Sequence, residues 1–213
     1  MKLIVTRPQH DLTTRYISSW AQEVIDLANK KRVDVIDLQK EKANKNELVG
    51  RIKKVSPSIV FLNGHGTDSS IKGHDDETLV HEGENEEVLF GRITYSLSCS
   101  SAKMLGSRVA RNRNTAFIGY SDDFIFSIDK DSLLRPEADS RAKPFKESSN
   151  QIMVSLLKGH TAGEAVERSK KLFLEHHASL VASTTDQDSL MTMQCLWWNM
   201  KHQVCLGDES LKG

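Results

Sequence analysis

The first 126 residues alternate short apolar runs with segments of helical periodicity, and this alternation limits the possible folds more than any other feature. The run LIVT from Leu3 to Thr6, like the run inside SIVFLNGHG, is short, continuous and rich in β-branched residues, which is typical of strands buried on both faces. Strands that alternate with helices predict a mostly parallel sheet covered on both faces. We therefore predict an α/β sandwich with about five or six strands.

The last third of the chain has a different character. A polar stretch from Ser127 to Asn150 predicts a loop at the edge where the fifth strand ends, and amphipathic helices follow it. The predicted core positions of the last helix are Leu190, Met193, Trp197 and Met200. We predict one domain over residues 1–213, with an α/β part over 1–126 and a loop and mostly helical remainder over 127–213.

Two predicted helices begin with clear capping residues. Asp11 is the expected N-cap of the first helix, because its carboxylate can accept hydrogen bonds from the free N–H groups of the first turn. Thr161 and Glu164 have the spacing of a capping box ahead of a helix in the last third.

Charge and composition argue against several classes of protein. The chain has 29 Lys and Arg against 29 Asp and Glu, so it lacks the basic excess that general nucleic-acid or membrane-surface binding requires. Its apolar runs are too short for a membrane span, and its start does not resemble a signal peptide. The three cysteines form neither a metal-type pair nor a disulfide framework, which predicts a cytoplasmic protein.

Two residues with catalytic potential follow neighbouring predicted strands. His65 lies between Gly64 and Gly66, directly after the third strand, and Cys99 follows the fourth strand just before a helical stretch. In a parallel sheet, binding and catalytic residues usually lie at the carboxyl ends of the strands, where the loops surround a shared crevice. We therefore expect the imidazole and the thiol to meet at this edge.

A cysteine beside a histidine suits acyl transfer. The imidazole can take the thiol proton and return it to a leaving group, and a helix N-terminus favours the thiolate. The backbone N–H groups of Gly66 and Cys99 could stabilise an oxyanion. From these residue types alone, Cys99 could equally be a small buried apolar side chain and His65 an ordinary loop residue.

The motifs around both residues resemble a known family. IVFLNGHG followed by ITYSLSCSSAKMLG is similar to the caspase-like cysteine peptidases of clan CD, with closest similarity to the gingipain-like and CHAT branches. LLKGHTAGEAVERSKKLF and WWNMKHQVCLGDESL resemble the stretches that follow the catalytic part in those branches. The resemblance implies a caspase-like three-layer sandwich, a His65–Cys99 catalytic dyad and Gly66 as an oxyanion donor.

The charges near the predicted site favour a basic residue before the cleaved bond. Seven carboxylates and no Lys or Arg lie between Asp75 and Glu87, and Asp122 and Asp123 follow the fifth strand. The gingipain-like relatives use an acidic pocket, in agreement with this interpretation. Arg7 follows the first strand, where caspases place an Arg that binds Asp, so Arg7 could bind an acidic substrate or pair with a neighbouring carboxylate.

The sequence contains no clear motif for a metal ion or a cofactor. His65, His74 and His81 with Asp75 and Asp76 match no zinc spacing, and no Gly-rich phosphate loop follows the first strand. We predict no cofactor and no metal.

We expect a cysteine endopeptidase that acts on a peptide or protein substrate, with a regulatory protein as a further possible partner and no nucleic-acid or membrane partner. One alternative is a catalytically silent caspase-like module for interaction or regulation. A second alternative is a doubly wound binder of a nucleotide or another small molecule.

Overall fold

Six strands form a central sheet in the computed structural model, which describes residues 1–183 and 187–213. The spatial order of the sheet is β2-β1-β3-β6-β7-β8. Its first five strands in this order are parallel, and β8 is antiparallel to β7. The strands of this sheet are β1 (Lys2–Arg7), β2 (Asp34–Gln39), β3 (Ile59–Asn63), β6 (Ile93–Leu97), β7 (Ala116–Tyr120) and β8 (Gln203–Gly207).

A hairpin, six α-helices and several short 3-10 and π-helical segments make up the other regular structure of the described residues. The antiparallel hairpin between β3 and β6 consists of β4 (Ser70–Lys72) and β5 (Thr78–His81). The helices are α1 (Leu12–Lys30), α2 (Lys45–Val55), α3 (Ser107–Val109), α4 (Lys143–Leu157), α5 (Ala162–Ser183) and α6 (Gln187–His202). A π-helical segment over Ala102–Gly106 leads into α3. Among these segments, none has both the length and the apolar character of a membrane-spanning helix.

Helices cover both faces of the sheet, as the alternating pattern predicts. Residues of α1, α4, α5 and α6 pack on one face against Leu3, Phe61 and Tyr95, while α2, the hairpin and α3 pack on the other against Ile4 and Val60. Leu3 and Ile4 are consecutive and face opposite sides, because successive side chains of a strand alternate. The predicted mostly parallel α/β sandwich is therefore confirmed.

Both predicted helix caps are present. The Asp11 side chain accepts a hydrogen bond from the Thr14 N–H at 2.7 Å, and this starts α1. The Glu164 carboxylate accepts from the Thr161 N–H at 2.8 Å, while the Glu164 N–H donates to the Thr161 hydroxyl at 3.2 Å.

Two expectations for the last third of the chain were wrong in detail. The loop after β7 ends at Ala142 rather than Asn150, because Pro144 in the first turn of α4 favours the start of a helix there. In α6, Leu190 and Trp197 are exposed, although Met193 and Leu196 are buried. The side of α6 that carries Asn199 faces the segment after β7, where Asn199 forms hydrogen bonds with Ile125. Leu190 and Trp197 therefore lie on a more exposed side of the helix.

Candidate active site

The parallel register of β3 and β6 brings His65 and Cys99 to the same edge of the sheet. Asn63 and Leu97, the last residues of these strands, are register partners, and His65 and Cys99 each lie two residues further on. Neighbouring strands are about 4.8 Å apart, so residues at equivalent positions beyond them lie close together. Both side chains line one cleft of about 320 Å³. The two side chains therefore share a cleft at this edge, although no hydrogen bond joins the thiol to the imidazole; within residues 1–183 and 187–213 their partners are the Phe124 carbonyl and Asp11.

The start of α1 and the segment after β7 form the walls of this cleft. The other lining residues are Leu12, Thr13, Tyr16, Asp123, Phe124, Ile125, Phe126 and Ile128. Helix α6 fixes the second wall. Buried Asn199 donates from its amide to the Ile125 carbonyl at 2.6 Å and accepts from the Ile125 N–H at 3.0 Å. The Trp198 indole N–H donates to the Asp123 carbonyl at 3.0 Å.

The carboxylate of Asp11 holds the His65 ring. The Oδ2 atom of Asp11 lies 2.5 Å from Nε2 of His65, while its Oδ1 atom accepts from the Thr14 N–H. One carboxylate therefore caps α1 and orients the imidazole. Because the carboxylate of Asp11 can only accept a hydrogen bond, Nε2 of the neutral ring must carry the proton. Nδ1 is then the unprotonated nitrogen and can act as an acceptor.

The same contacts keep Asp11 ionised. Burial by itself raises the pKa of this carboxyl, but the hydrogen bonds from His65 and from Thr14 outweigh burial and lower the pKa to about 2. Asp11 is thus negatively charged throughout the pH range in which an imidazole works as an acid or base.

The backbone turn at Gly66 leaves no space for a side chain. A Cβ atom on Gly66 would lie 2.3 Å from the Cys99 carbonyl oxygen, so the two strand ends touch through their backbones. Within residues 1–183 and 187–213, we find no acceptor for the N–H of Gly66 or of Cys99. The predicted oxyanion site requires two such unpaired donors, and the site itself stays a prediction.

We predict that Gly66→Ala lowers the free energy of unfolding by about 1–3 kcal/mol, because the new methyl group must push the Cys99 backbone away. Gly50→Ala is the matched control, since a Cβ atom at this position in α2 meets nothing within 4 Å and alanine favours a helix. Chemical denaturation measures both variants. Equal stability of Gly66→Ala and the native chain would contradict the close contact.

The surroundings of Cys99 favour the thiol over the thiolate, contrary to the expectation from a following helix. Burial raises the pKa of Cys99 first, and the negative charges of Asp123 and Asp122 raise it further. The chain after Cys99 makes a left-handed turn at Ser100 (φ 53°) and continues into a short π-helical segment, so the residues that follow Cys99 do not form a long helix that starts at the sulfur. The Sγ atom donates a weak hydrogen bond to the Phe124 carbonyl at 3.9 Å.

We expect Asp123→Asn to lower the pKa of Cys99, because the substitution removes a negative charge that stabilises the protonated thiol. The midpoint of the pH profile for iodoacetamide labelling of Cys99 should move to lower pH. Asp131→Asn, an exposed change in the loop outside the cleft, should leave the midpoint in place. A midpoint that does not move in Asp123→Asn would show that this carboxylate does not act on the sulfur.

The other two cysteines lie in apolar runs that predict burial, but neither of them is fully buried. Cys195 and Cys205 are half-buried, as Cys99 is, because each packs only against the margin of the core. Burial raises the pKa of both, and the charges of Glu209 and Asp208 help to raise that of Cys205 to about 12. Neither residue lines the cleft of Cys99.

The candidate substrate-binding residues occupy different places. Asp123 lines the cleft and accepts from the Ser100 hydroxyl at 3.1 Å, whereas an oxygen of Asp122 accepts from the Asp123 N–H at 2.9 Å. Arg7 is buried outside the cleft, where its Nε and Nη2 atoms lie 2.9 Å and 2.5 Å from the two carboxylate oxygens of Asp37. Of the two roles considered for Arg7, the structure shows the pairing with a neighbouring carboxylate.

Sequence reasoning missed two residues of the site. Asp11 was recognised only as a helix cap, although its N-cap position after β1 also puts it beside the strand end that carries His65. Asn199 carries no sequence signal apart from being a polar residue on the apolar side of α6.

Comparisons with known proteins support the fold. No family model matches the chain, and no curated protein matches it. Among solved structures, the chain is similar to the Arg-specific cysteine proteinase gingipain R, with a TM-score of 0.62 and 10% sequence identity. The match covers 99% of this chain and 46% of that chain, so this chain spans less than half the length of the proteinase. The similarity to the CHAT branch stays a prediction, while the α/β sandwich of this chain has the caspase-like fold.

Proposed function

We propose that the protein is a cysteine endopeptidase that uses Cys99 as nucleophile and His65 as acid and base. The observation that carries this proposal is the convergence of both side chains in one cleft, with Nε2 of His65 held by Asp11. The caspase-like fold, which this chain shares with the cysteine proteinase gingipain R, adds support.

The proposed reaction begins with transfer of the thiol proton of Cys99 to Nδ1 of His65. The sulfur attacks the peptide carbonyl, and the N–H groups of Gly66 and Cys99 stabilise the oxyanion. His65 then donates the proton to the leaving amine as the C–N bond breaks, which leaves a thioester. Water hydrolyses the thioester with His65 as base, releases the carboxylic acid and restores the thiol.

We propose that the residue before the cleaved bond is Arg or Lys, and that Asp123 binds it. Asp123 is an exposed carboxylate on the cleft wall, and the neighbouring Phe124 and Phe126 offer apolar surface for a long aliphatic stem. Arg7 is unsuited to an acidic substrate because Asp37 already neutralises its charge. The substrate is therefore a basic peptide or protein segment, and the three unpaired cysteines are compatible with a reducing compartment such as the cytoplasm.

Otherwise identical peptides with Arg, Lys, Asp or Leu before the scissile bond test this preference. Each charge-assisted hydrogen bond contributes about 1.5–3 kcal/mol, so we expect kcat/KM for Arg to exceed that for Leu by about tenfold or more. In Asp123→Asn the Arg-to-Leu ratio should fall by about tenfold, whereas Asp131→Asn should keep it. Faster cleavage after Asp than after Arg would overturn the proposed specificity.

A catalytically silent caspase-like module is the second candidate, and the raised pKa of Cys99 favours it, because a protonated thiol is a poor nucleophile. A silent module would cleave none of these peptides while remaining folded.

A further inference from the structure

Three imidazole rings lie side by side next to the cleft, although they come from three separate segments. His10 precedes α1, His65 follows β3, and His74 lies inside the β4–β5 hairpin. The ring centroid of His10 is 5.9 Å from that of His65 and 5.4 Å from that of His74. The sheet therefore gathers a histidine cluster that no local spacing in the sequence reveals.

His10 has an unusual environment for a half-buried imidazole. Both of its ring nitrogens are buried and lack a hydrogen-bond partner among the described residues. Its Nε2 atom is 3.4 Å from Oδ1 of Asp76 and 3.8 Å from Oδ2 of Asp11, without the geometry of a hydrogen bond. A buried donor or acceptor without a partner lowers stability, so a ligand that satisfies it binds favourably.

Metal-ligating atoms of three residues converge at this point. One ring nitrogen each of His10 and His65 and a carboxylate oxygen of Asp76 all lie within 4.8 Å of one another. Zn²⁺ binds imidazole nitrogen and carboxylate oxygen at about 2.0–2.2 Å, so the three atoms need only a small closing movement around an ion. Asp76 is exposed, and its side chain is free to make that movement.

His74 supports the cluster from outside. Its Nδ1 atom accepts a hydrogen bond from the Gln9 N–H at 3.2 Å, which ties the hairpin to the segment that carries His10. This contact brings Asp76, two residues after His74, to the side of the cleft.

We propose that His10, His65 and Asp76 bind one divalent transition-metal ion of the Zn²⁺ type, and that the bound ion holds the protein in an inactive state. Two imidazoles and one carboxylate suit Zn²⁺, Co²⁺ or Ni²⁺ rather than Ca²⁺ or Mg²⁺, which prefer oxygen ligands. The inhibitory part rests on the proposed peptidase function, in which Nδ1 of His65 accepts the thiol proton of Cys99. When the ion binds Nε2 of His65, the proton that this atom shares with Asp11 moves to Nδ1, and Nδ1 can then no longer accept the thiol proton of Cys99.

Zn²⁺ titration by isothermal calorimetry on the chelator-treated full chain tests the binding. Asp76→Asn is the main variant, because its exposed side chain can be changed without disturbing folding. Asp75→Asn is the matched control, since it removes the same charge from the adjacent position, which lies outside the three-residue set. His10→Ala, with His160→Ala as its control, removes a second ligand.

We expect a single tight site in the native chain that is at least about tenfold weaker in Asp76→Asn and in His10→Ala. The site should persist in Asp75→Asn, His160→Ala and Cys99→Ala, and millimolar Mg²⁺ should not compete for it. Equal Zn²⁺ affinity in the native chain, Asp76→Asn and His10→Ala overturns the site, as does its loss in Cys99→Ala.

Peptide hydrolysis tests the inhibition separately. Zn²⁺ should inhibit the native chain. The inhibition constant for Zn²⁺ should rise in Asp76→Asn by the same factor as the dissociation constant from calorimetry. Inhibition of each protein is measured relative to its own rate without metal. Zn²⁺ that binds at this site without inhibiting an active chain overturns the inhibitory role. If the native chain binds Zn²⁺ as described but cleaves no peptide, the metal site is supported and the peptidase function is refuted.

Discussion

Cys99→Ala is expected to reduce kcat/KM for an Arg peptide by at least about a thousandfold, because alanine cannot form the thioester through which the reaction proceeds. The half-buried thiol can lose its sulfur without a large cavity, so the free energy of unfolding should change by less than about 1 kcal/mol. The measurement combines peptide hydrolysis with chemical denaturation of the same preparation.

Cys195→Ala and Cys205→Ala are the controls for this loss. Each removes a half-buried thiol that lies outside the cleft, so hydrolysis should continue at close to the native rate. Full activity in Cys99→Ala, or loss of activity in Cys195→Ala instead, would refute Cys99 as the nucleophile.

Asp11→Asn should lower kcat by up to about 10⁴-fold, the loss that follows when a carboxylate that orients a catalytic imidazole is replaced by an amide. The asparagine amide can donate to Nε2 of His65, which favours the tautomer with its proton on Nδ1, where the proposed reaction needs an acceptor. Because asparagine caps a helix as well as aspartate does, α1 should keep its start. The variant therefore separates catalysis from folding.

Asp11→Asn should be less stable than the native chain above about pH 4, and this difference should shrink as the pH falls. The pKa of Asp11 is lowered from 3.8 to about 2, so its contacts stabilise the folded state fully above about pH 4, and this contribution is lost as the pH falls toward 2. Asp26→Asn, an exposed change on the same helix, should alter neither kcat nor this profile. A native rate in Asp11→Asn would contradict the orienting role.

The local features of the fold could be predicted from the sequence because they depend on short-range physics. The run at Leu3 to Thr6 and the FLNGHG segment identify buried strands, since a parallel strand covered on both faces must be apolar throughout. Asp11 and Thr161 mark helix starts through hydrogen bonds that span three residues. The α/β pattern then predicts a mostly parallel sheet, and the carboxyl ends of its strands put His65 and Cys99 at one edge.

Other features depend on contacts between distant segments, which no local pattern encodes. The pairing of Arg7 with Asp37 arises from the β1–β2 register, and the hold of Asn199 on Ile125 arises from the docking of α6 beside the loop after β7. The raised pKa of Cys99 depends on burial and on carboxylates from the next strand end. The histidine cluster likewise needs the hairpin to fold back onto the start of α1.

The central claim is that one cleft holds a reactive thiol beside an oriented imidazole. Intact-protein mass spectrometry after reaction with a peptide acyloxymethyl ketone that ends in Arg tests it most directly, because such a reagent labels a cysteine only when the peptide part is bound in position. We predict one adduct per chain, located on Cys99, formed more slowly in Asp11→Asn and absent in Cys99→Ala. No adduct on the native chain, or adducts spread over Cys99, Cys195 and Cys205, would contradict the claim.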